Sequence, residues 1–222
     1  MISTNINIIV GLLLLVLFIR TSHALSMDMI SSRQSSRKAF LGQIAAASSA
    51  LTIHSSAAFA AGSIPTLGAK APDFKLPNSR GGETSLSDLT KTGKTTVLYF
   101  YPGAFTNGCS LEARNFQSDI DKYKELDAQI VGVSVDPVEK NAQFCATENL
   151  EFFMLSDYEG KVSKLYGSAL SIPGFGSFSN RQTYIIDKDG NLRWVFTDVE
   201  SHVPRHSTEV LEKLEELKKQ VA

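Results

Sequence analysis

From Thr95 onward the chain alternates between two hydrophobic rhythms. Thr95–Tyr101 is an unbroken β-branched and aromatic run, the pattern of a strand buried on both faces. Within Leu111–Leu126, Phe116, Ile120 and Tyr123 recur at helical spacing. Gln129–Val135 is a second buried strand, after which Asp136-Pro137 opens a helix with proline at the first helical position and Glu139 one turn from the cap. Phe152–Leu155 predicts a short strand and Gly160–Tyr166 a short helix. The Gly-, Ser- and Phe-rich stretch Ala169–Asn180 predicts a loop. Gln182–Ile186 and Leu192–Phe196, joined by Asp187-Lys-Asp-Gly190, predict a β-hairpin. A last helix spans about Pro204 to Gln220, with Val210, Leu211, Leu214, Leu217 and Val221 on one face. Near the front, Phe74–Leu76 and Glu83–Leu86 flank Asn78–Gly82 as a second hairpin. There is no internal repeat. Parallel strands early and an antiparallel hairpin late predict an α/β fold, a central mixed β-sheet with helices on both faces.

The first 60 of the 222 residues have a different texture. Ile8–Ile19 is an apolar run too short for a bilayer span, followed by Ser22-His-Ala24, as in a signal peptide with its cleavage site. Ser26–Lys38, rich in Ser and Arg with one acid, has the composition of an organelle transit peptide. Ser36-Arg37-Lys38-Ala39-Phe40-Leu41 then precedes the apolar Ile44–Ile53 and a second A-x-A site at Ala58-Phe59-Ala60. This resembles a twin-arginine lumen signal in which Lys38 replaces the second arginine. The reading is a signal peptide at 1–24, a plastid transit and thylakoid-lumen transfer segment at 25–60, and a folded domain at 61–222. It corresponds to import into a plastid through the endoplasmic reticulum. The alternative is one signal peptide and a disordered linker, hence the secretory pathway.

Of the 22 basic and 23 acidic residues, Arg20, Arg33, Arg37, Lys38 and Asp28 precede Ala61, which leaves a net charge of −4 for the rest. That balance points away from nucleic acid or an anionic membrane surface as partner, and the mature part carries no segment for membrane insertion. Two cysteines are too few for a disulfide scaffold or a structural zinc site. One of them is placed for chemistry. Cys109 lies where the strand ending at Tyr101 runs into a helix, and unpaired N–H groups at a helix start favour thiolate over thiol. Thr106 can set a hydroxyl beside the sulfur, Gly108 allows close backbone approach, and Pro102 stiffens the turn. The missing positive charge has a candidate in Arg181, which opens a strand after the Gly-rich loop.

Pro102-x-x-x-Thr106-x-x-Cys109 resembles the active-site motif of the peroxiredoxins. Arg181 in Arg-Gln-Thr-Tyr-Ile-Ile-Asp187, Leu155-Ser-Asp157, the helix start at His206 and Ala71-Pro72-Asp-Phe74 extend the resemblance over Ser63–Leu217, toward the Q, or bacterioferritin-comigratory, branch. The resemblance implies a thioredoxin-like fold and a thiol-dependent peroxidase for hydrogen peroxide and organic hydroperoxides, recycled by thioredoxin or a similar dithiol protein, without metal or organic cofactor. It implies Cys109 as peroxidatic cysteine, Thr106 on the peroxide, Arg181 lowering the thiolate pKa, and Glu112 orienting the surrounding groups. There are departures. Asn107 stands where the family usually has proline, and Tyr101-Pro-Gly-Ala-Phe105 looks like the type II (peroxiredoxin 5-like) branch. Arg114 occupies the position of the commonest Q-type resolving cysteine.

Cys145, 36 positions after Cys109, is the only other thiol. A subset of Q-type members carries its resolving cysteine on this helix, so the resemblance implies an intramolecular Cys109–Cys145 disulfide. Such a bond needs Cα atoms within roughly 7 Å, which predicts that the starts of both helices rearrange on oxidation. The alternatives are a buried structural cysteine beside Phe144 or a one-cysteine peroxidase served by an external thiol. A disulfide reductase lacks its Cys-x-x-Cys pair here, since positions 106 and 112 are Thr and Glu. A fold without peroxidase activity, acting as a binding module, also stays open. His202 and His206 read as solvated loop or helix-cap residues, and Trp194, Phe175 and Phe178 as packing residues. The Q branch implies a monomer more than a dimer.

Overall fold

The computed structural model describes residues 62–174 and 176–220. The leader segments 1–24 and 25–60, Phe175 and Val221 lie outside the described residues. Five strands form the main sheet in the order β5-β4-β3-β8-β9. The expected buried run becomes β3 (Thr95–Phe100) at its centre, parallel to β4 (Ala128–Ser134), which is parallel to β5 (Phe153–Ser156). On its other side β3 pairs antiparallel with β8 (Gln182–Ile186), and β8 with β9 (Leu192–Phe196). This is the mixed sheet that the sequence order implied.

Side chains of a strand alternate between faces, so β3 feeds two cores. Val97, Tyr99 and Tyr101 join Ala113 and Phe116 of α2 (Asn107–Ser118), Ile120 and Tyr123 of α3 (Ile120–Glu125), Phe144 of α4 (Val138–Thr147), and Val210, Leu211 and Leu214 of α6 (His206–Lys219). Leu98 and Phe100 meet Leu86 and Leu89 of α1 (Leu86–Thr90), Val162 of α5 (Lys161–Leu165), Tyr166 and Phe74. Helices therefore cover both faces. Gly132 in β4 is a packing requirement, because a Cβ there would stand 2.2 Å from Met154 Sδ and 3.0 Å from the Tyr99 ring. In front of the sheet, β1 (Lys75–Pro77) and β2 (Glu83–Ser85) pair antiparallel around the turn at 78–82. The Ser85/Asp88 capping box then starts α1.

Four elements differ from the sequence reading, the first being α1, a helix that was not foreseen and that takes up Leu86, expected as the end of the strand Glu83–Leu86. The helix expected across 111–126 begins at Asn107 and divides at Asp119 (φ −97°, ψ 8°), whose carboxylate accepts from Ser207 Oγ of α6 at 2.7 Å and pairs with Lys122. A tertiary contact thus sets the break. Pro137 is the N-cap of α4 (φ −58°, ψ 153°) and not its first helical residue. The expected loop 169–180 is a hairpin of β6 (Ala169–Ile172) and β7 (Gly176–Ser179), separate from the main sheet. Its residues are mostly exposed, so no strong apolar alternation announces it, and Gly174 and Gly176 supply positive φ at its turn. No helix among the described residues is long and apolar enough to cross a membrane.

Candidate active site

The segment between the end of β3 and the start of α2 is held in place by Asp136, just past β4, and by two residues of α4. Asp136, just past β4, accepts the Ala104 N–H at 2.6 Å and the Ser134 hydroxyl at 3.2 Å, and pairs with Lys140 at 2.6 Å. Tyr101 donates its hydroxyl to Asn141 of α4 at 2.7 Å. Phe105 adopts φ +69°, a conformation that costs a bulky side chain energy, and its ring meets Phe144 edge-on at 5.3 Å. These contacts pin the loop between Pro102 and Thr106. Thr106 is the N-cap of α2, with its hydroxyl donating to Gly103 O at 3.3 Å. The half-buried Pro102 begins the turn.

Cys109 is the third residue of α2 and only 1% exposed. Arg181 Nη2 lies 3.3 Å from its sulfur. The same guanidinium donates through Nη1 to Glu112 Oε2 at 2.6 Å and through Nε to Glu200 Oε2 at 2.8 Å. Arg181 arrives from β8 on the opposite flank of β3, so antiparallel pairing of β3 with β8 brings the sequence-distant arginine to the helix start. Gly108 leaves the necessary room: a Cβ there would sit 3.1 Å from Arg181 Nη2.

The electrostatics of this cluster follow from burial. Burial pushes the Glu112 carboxyl up to about 7, against the opposing pull of Arg181, while Glu200 adds a small further rise. Burial alone would lower the Arg181 pKa, but Glu112, Cys109 and Glu200 together raise it, so the guanidinium stays charged. The sulfur therefore faces a permanent cation in a site from which water is largely excluded. Such a donor favours thiolate and can stabilise charge that shifts during a displacement.

Cys145 has different surroundings. It sits on α4, half-buried, and packs against the same core as Cys109. Both thiols are free. The Cys145 sulfur lies 3.4 Å from Ser79 Oγ on the turn between β1 and β2. Burial pushes this thiol up, with Ser79, the Met154 backbone and Arg80 opposing. Arg114 pairs with Glu148, the C-cap residue of α4, at 3.0 Å.

Cys109, Arg181 and Glu112 thus converge as expected, while Cys145 lies on the neighbouring helix. Sequence reasoning missed Glu200, Asp136 and Ser79. Nothing local marks them, although Asp136 directly after a buried strand is the kind of residue that binds neighbouring loops. The solvated reading fits His202, which pairs with Glu209, but it fails for His206. That side chain is fully buried between Phe116 and Phe196, with Nε2 2.8 Å from Thr183 Oγ1. Burial depresses its pKa to about 3, so it is neutral and structural. Trp194 packs at the edge of the core beneath the Lys213 ammonium.

Residues 67–195 match the family model described as the AhpC/TSA family. The chain belongs to that family. It is 39% identical over 142 residues to the peroxiredoxin Bcp of Bacillus subtilis, covering 62% of this chain and 89% of that protein. To the chloroplastic peroxiredoxin Q of Sedum lineare it is 35% identical over 153 residues, covering 69% and 80%. Among solved structures, peroxidoxin BcpB from Mycobacterium tuberculosis superposes with a TM-score of 0.61 and 32% identity, covering 67% of this chain and 96% of that one. The chain is therefore a peroxiredoxin of the Q/Bcp kind, with the thioredoxin-like fold and thiol-dependent peroxidase activity of that family.

Proposed function

We propose that Cys109 is the peroxidatic cysteine and that Cys145 resolves it. The observation that carries this reading is the Arg181 guanidinium at 3.3 Å from the Cys109 sulfur, fixed by Glu112 and Glu200. The Cys109 thiolate attacks the distal oxygen of hydrogen peroxide or an organic hydroperoxide. An S–O bond forms, the O–O bond breaks, and the departing alkoxide or hydroxide takes a proton, leaving a sulfenic acid. Arg181 stabilises the thiolate beforehand and the charge that shifts onto oxygen, Glu112 and Glu200 orient it, and Thr106 at the N-cap contacts the peroxide. The Cys145 thiolate then attacks the Cys109 sulfur, forming an S–S bond and breaking the S–O bond, with loss of water. A thioredoxin-type dithiol reduces the disulfide and becomes oxidised in turn.

Both thiols are free in the reduced fold, and closing the disulfide joins the start of α2, which carries Cys109, to the end of α4, which carries Cys145, with local rearrangement there and not at the starts of both helices. Peroxide consumption by the wild type and by Cys109→Ser, with mass mapping of both cysteines after one equivalent of peroxide, tests the scheme. The expected result is loss of activity in the variant and a Cys109–Cys145 disulfide in the wild type. A persistent Cys109 sulfenic or sulfinic acid beside free Cys145 would replace it with a one-cysteine mechanism.

The leader supports a location. In this reading residues 1–24 are a signal peptide, 25–60 direct the chain into a plastid and on to the thylakoid lumen, and the domain from Ala61 works there as a monomer. The chloroplastic plant relative supports the plastid, and the tandem A-x-A sites support the two further steps. Fusing residues 1–60 to a fluorescent reporter and fractionating the organelles checks this. Secretion of the reporter would reject it.

A further inference from the structure

The turn between β1 and β2 is fastened to β5 by more contacts than a surface turn needs, and one of them ends on a cysteine. Ser79 pairs twice with Met154: its N–H donates to Met154 O at 2.9 Å, and its Oγ accepts from Met154 N at 3.0 Å. Arg80 adds a bond to the Glu151 carbonyl and lies over the Phe153 ring, 5.4 Å from its centroid. Asn78, buried next to them, bridges to Leu155. With its oxygen already held by the Met154 N–H, the Ser79 hydroxyl can turn its own proton toward Cys145 Sγ at 3.4 Å.

We propose that Ser79 is a positioning residue for the resolution step, its hydroxyl donating to the Cys145 sulfur and so favouring the thiolate that closes the disulfide. The inference rests on Cys145 being the resolving cysteine. Its physical basis is a geometric contrast. Cys109 has a guanidinium at its sulfur, while no cation is bonded to Cys145 Sγ among the described residues. The charged and titratable groups around Cys145 are few. Arg80 comes from the same turn, and its charge favours the thiolate. Tyr99 and Tyr101 of β3 are neutral phenols whose pKa values burial raises well above the ordinary value. At the C-cap of α4 Glu148 is paired with Arg114, and Glu151, just beyond that helix, is paired with Lys124. A short-range donor is thus the strongest specific help this thiol receives, and thiolate fraction governs its rate of attack.

The test separates Ser79 from the mechanism it serves. In the full chain carrying Cys109→Ser, alkylation of Cys145 with a small maleimide is followed against pH, with and without Ser79→Ala. The midpoint should move up by about half a unit to one unit, a loss of about three- to tenfold in thiolate at neutral pH, with the high-pH plateau raised by no more than about threefold. Ser79→Thr, which keeps the hydroxyl, should restore the midpoint. With Cys109 intact, Ser79→Ala should slow disulfide closure after a peroxide pulse by about two- to threefold, less than the loss of thiolate because the more basic thiolate is the better nucleophile. An unchanged midpoint, or a plateau raised beyond that with faster closure, would overturn the proposal and make Ser79 a cover that merely hides the thiol. Absence of the disulfide in the wild type would reject the resolving role of Cys145, while the alkylation profile would still decide whether Ser79 tunes its thiol.

Discussion

The two thiols of this peroxiredoxin lie against one hydrophobic core yet in opposite electrostatic settings. Cys109 is almost fully buried, at the start of a helix, with a guanidinium at its sulfur and a carboxylate on either side of that guanidinium. Cys145 is half-buried late in a helix, with a serine hydroxyl as its side-chain partner, and burial pushes its pKa up. The difference fits the division of labour proposed for the two cysteines. A thiol that must meet dilute peroxide needs its thiolate ready in the resting fold. A thiol that attacks a neighbour has a high local concentration and can stay mostly protonated until the elements open.

The comparison breaks most directly at Arg181. Arg181→Gln should lower the rate of the first turnover by about 10²–10³, the effect of losing one preorganised charged donor, measured by rapid-mixing peroxide consumption. A loss below about threefold would mean that the helix start alone supports the thiolate. Cys145→Ser should leave that first turnover unchanged. It should lower steady-state turnover with a dithiol protein by about tenfold or more and drive Cys109 toward sulfinic acid under repeated peroxide, read by intact mass. Normal steady-state rates in that variant would place resolution outside the chain.

Gly108→Ala sharpens the contrast by geometry alone. The added methyl would stand 3.1 Å from Arg181 Nη2, on a guanidinium that two carboxylates hold in place. A fall of about tenfold in peroxidase rate with little change in melting temperature is expected. An unaltered rate would show that the guanidinium can shift without cost.

The smallest expected effect concerns stability. Glu112 is protonated more readily in the fold, where its pKa is about 7, than in the unfolded chain, where it is near 4.5. Its contribution is therefore complete below about 4.5 and is lost as pH rises through about 7, on the order of 3 kcal/mol in all. His206 acts in the other direction. Its pKa is about 3 in the fold against 6.5 when free, so its contribution is complete above 6.5 and is lost as pH falls through 3. Urea unfolding of the wild type and of Glu112→Gln at pH 4.5, 6 and 7.5 shares the His206 contribution and isolates Glu112. The stability difference between the two proteins should change across that interval in the sense stated. A constant difference would mean that Glu112 is already ionised at pH 4.5.

Much of this was legible in the order of residues. The apolar run Thr95–Tyr101 and the motif from Pro102 to Cys109 located the central strand and the cysteine at the helix start, because a strand buried on both faces and a helix start both leave local signatures. The hairpin at 169–179 did not, since its exposed faces impose no strict alternation. The break at Asp119 depends on Ser207, 88 positions away, and no local pattern encodes such a partner. His206 misled for the same reason. Beside Pro204 and Arg205 it reads as solvent-facing, but Phe116 and Phe196 enclose it.

Local chemistry along the chain determined the fold class and the family and pointed to the proposed nucleophile and its candidate cation, because periodicity and short motifs are properties of neighbouring residues. Which carboxylates hold Arg181, what a side chain at residue 108 would press against, which aspartate ties down the Cys109 loop and which hydroxyl meets Cys145 were decided only in three dimensions. Glu112, Glu200, Asp136 and Ser79 come from four separate segments, and only the packing of β8, α2, α4 and the β1–β2 turn around β3 and β4 brings them within bonding distance.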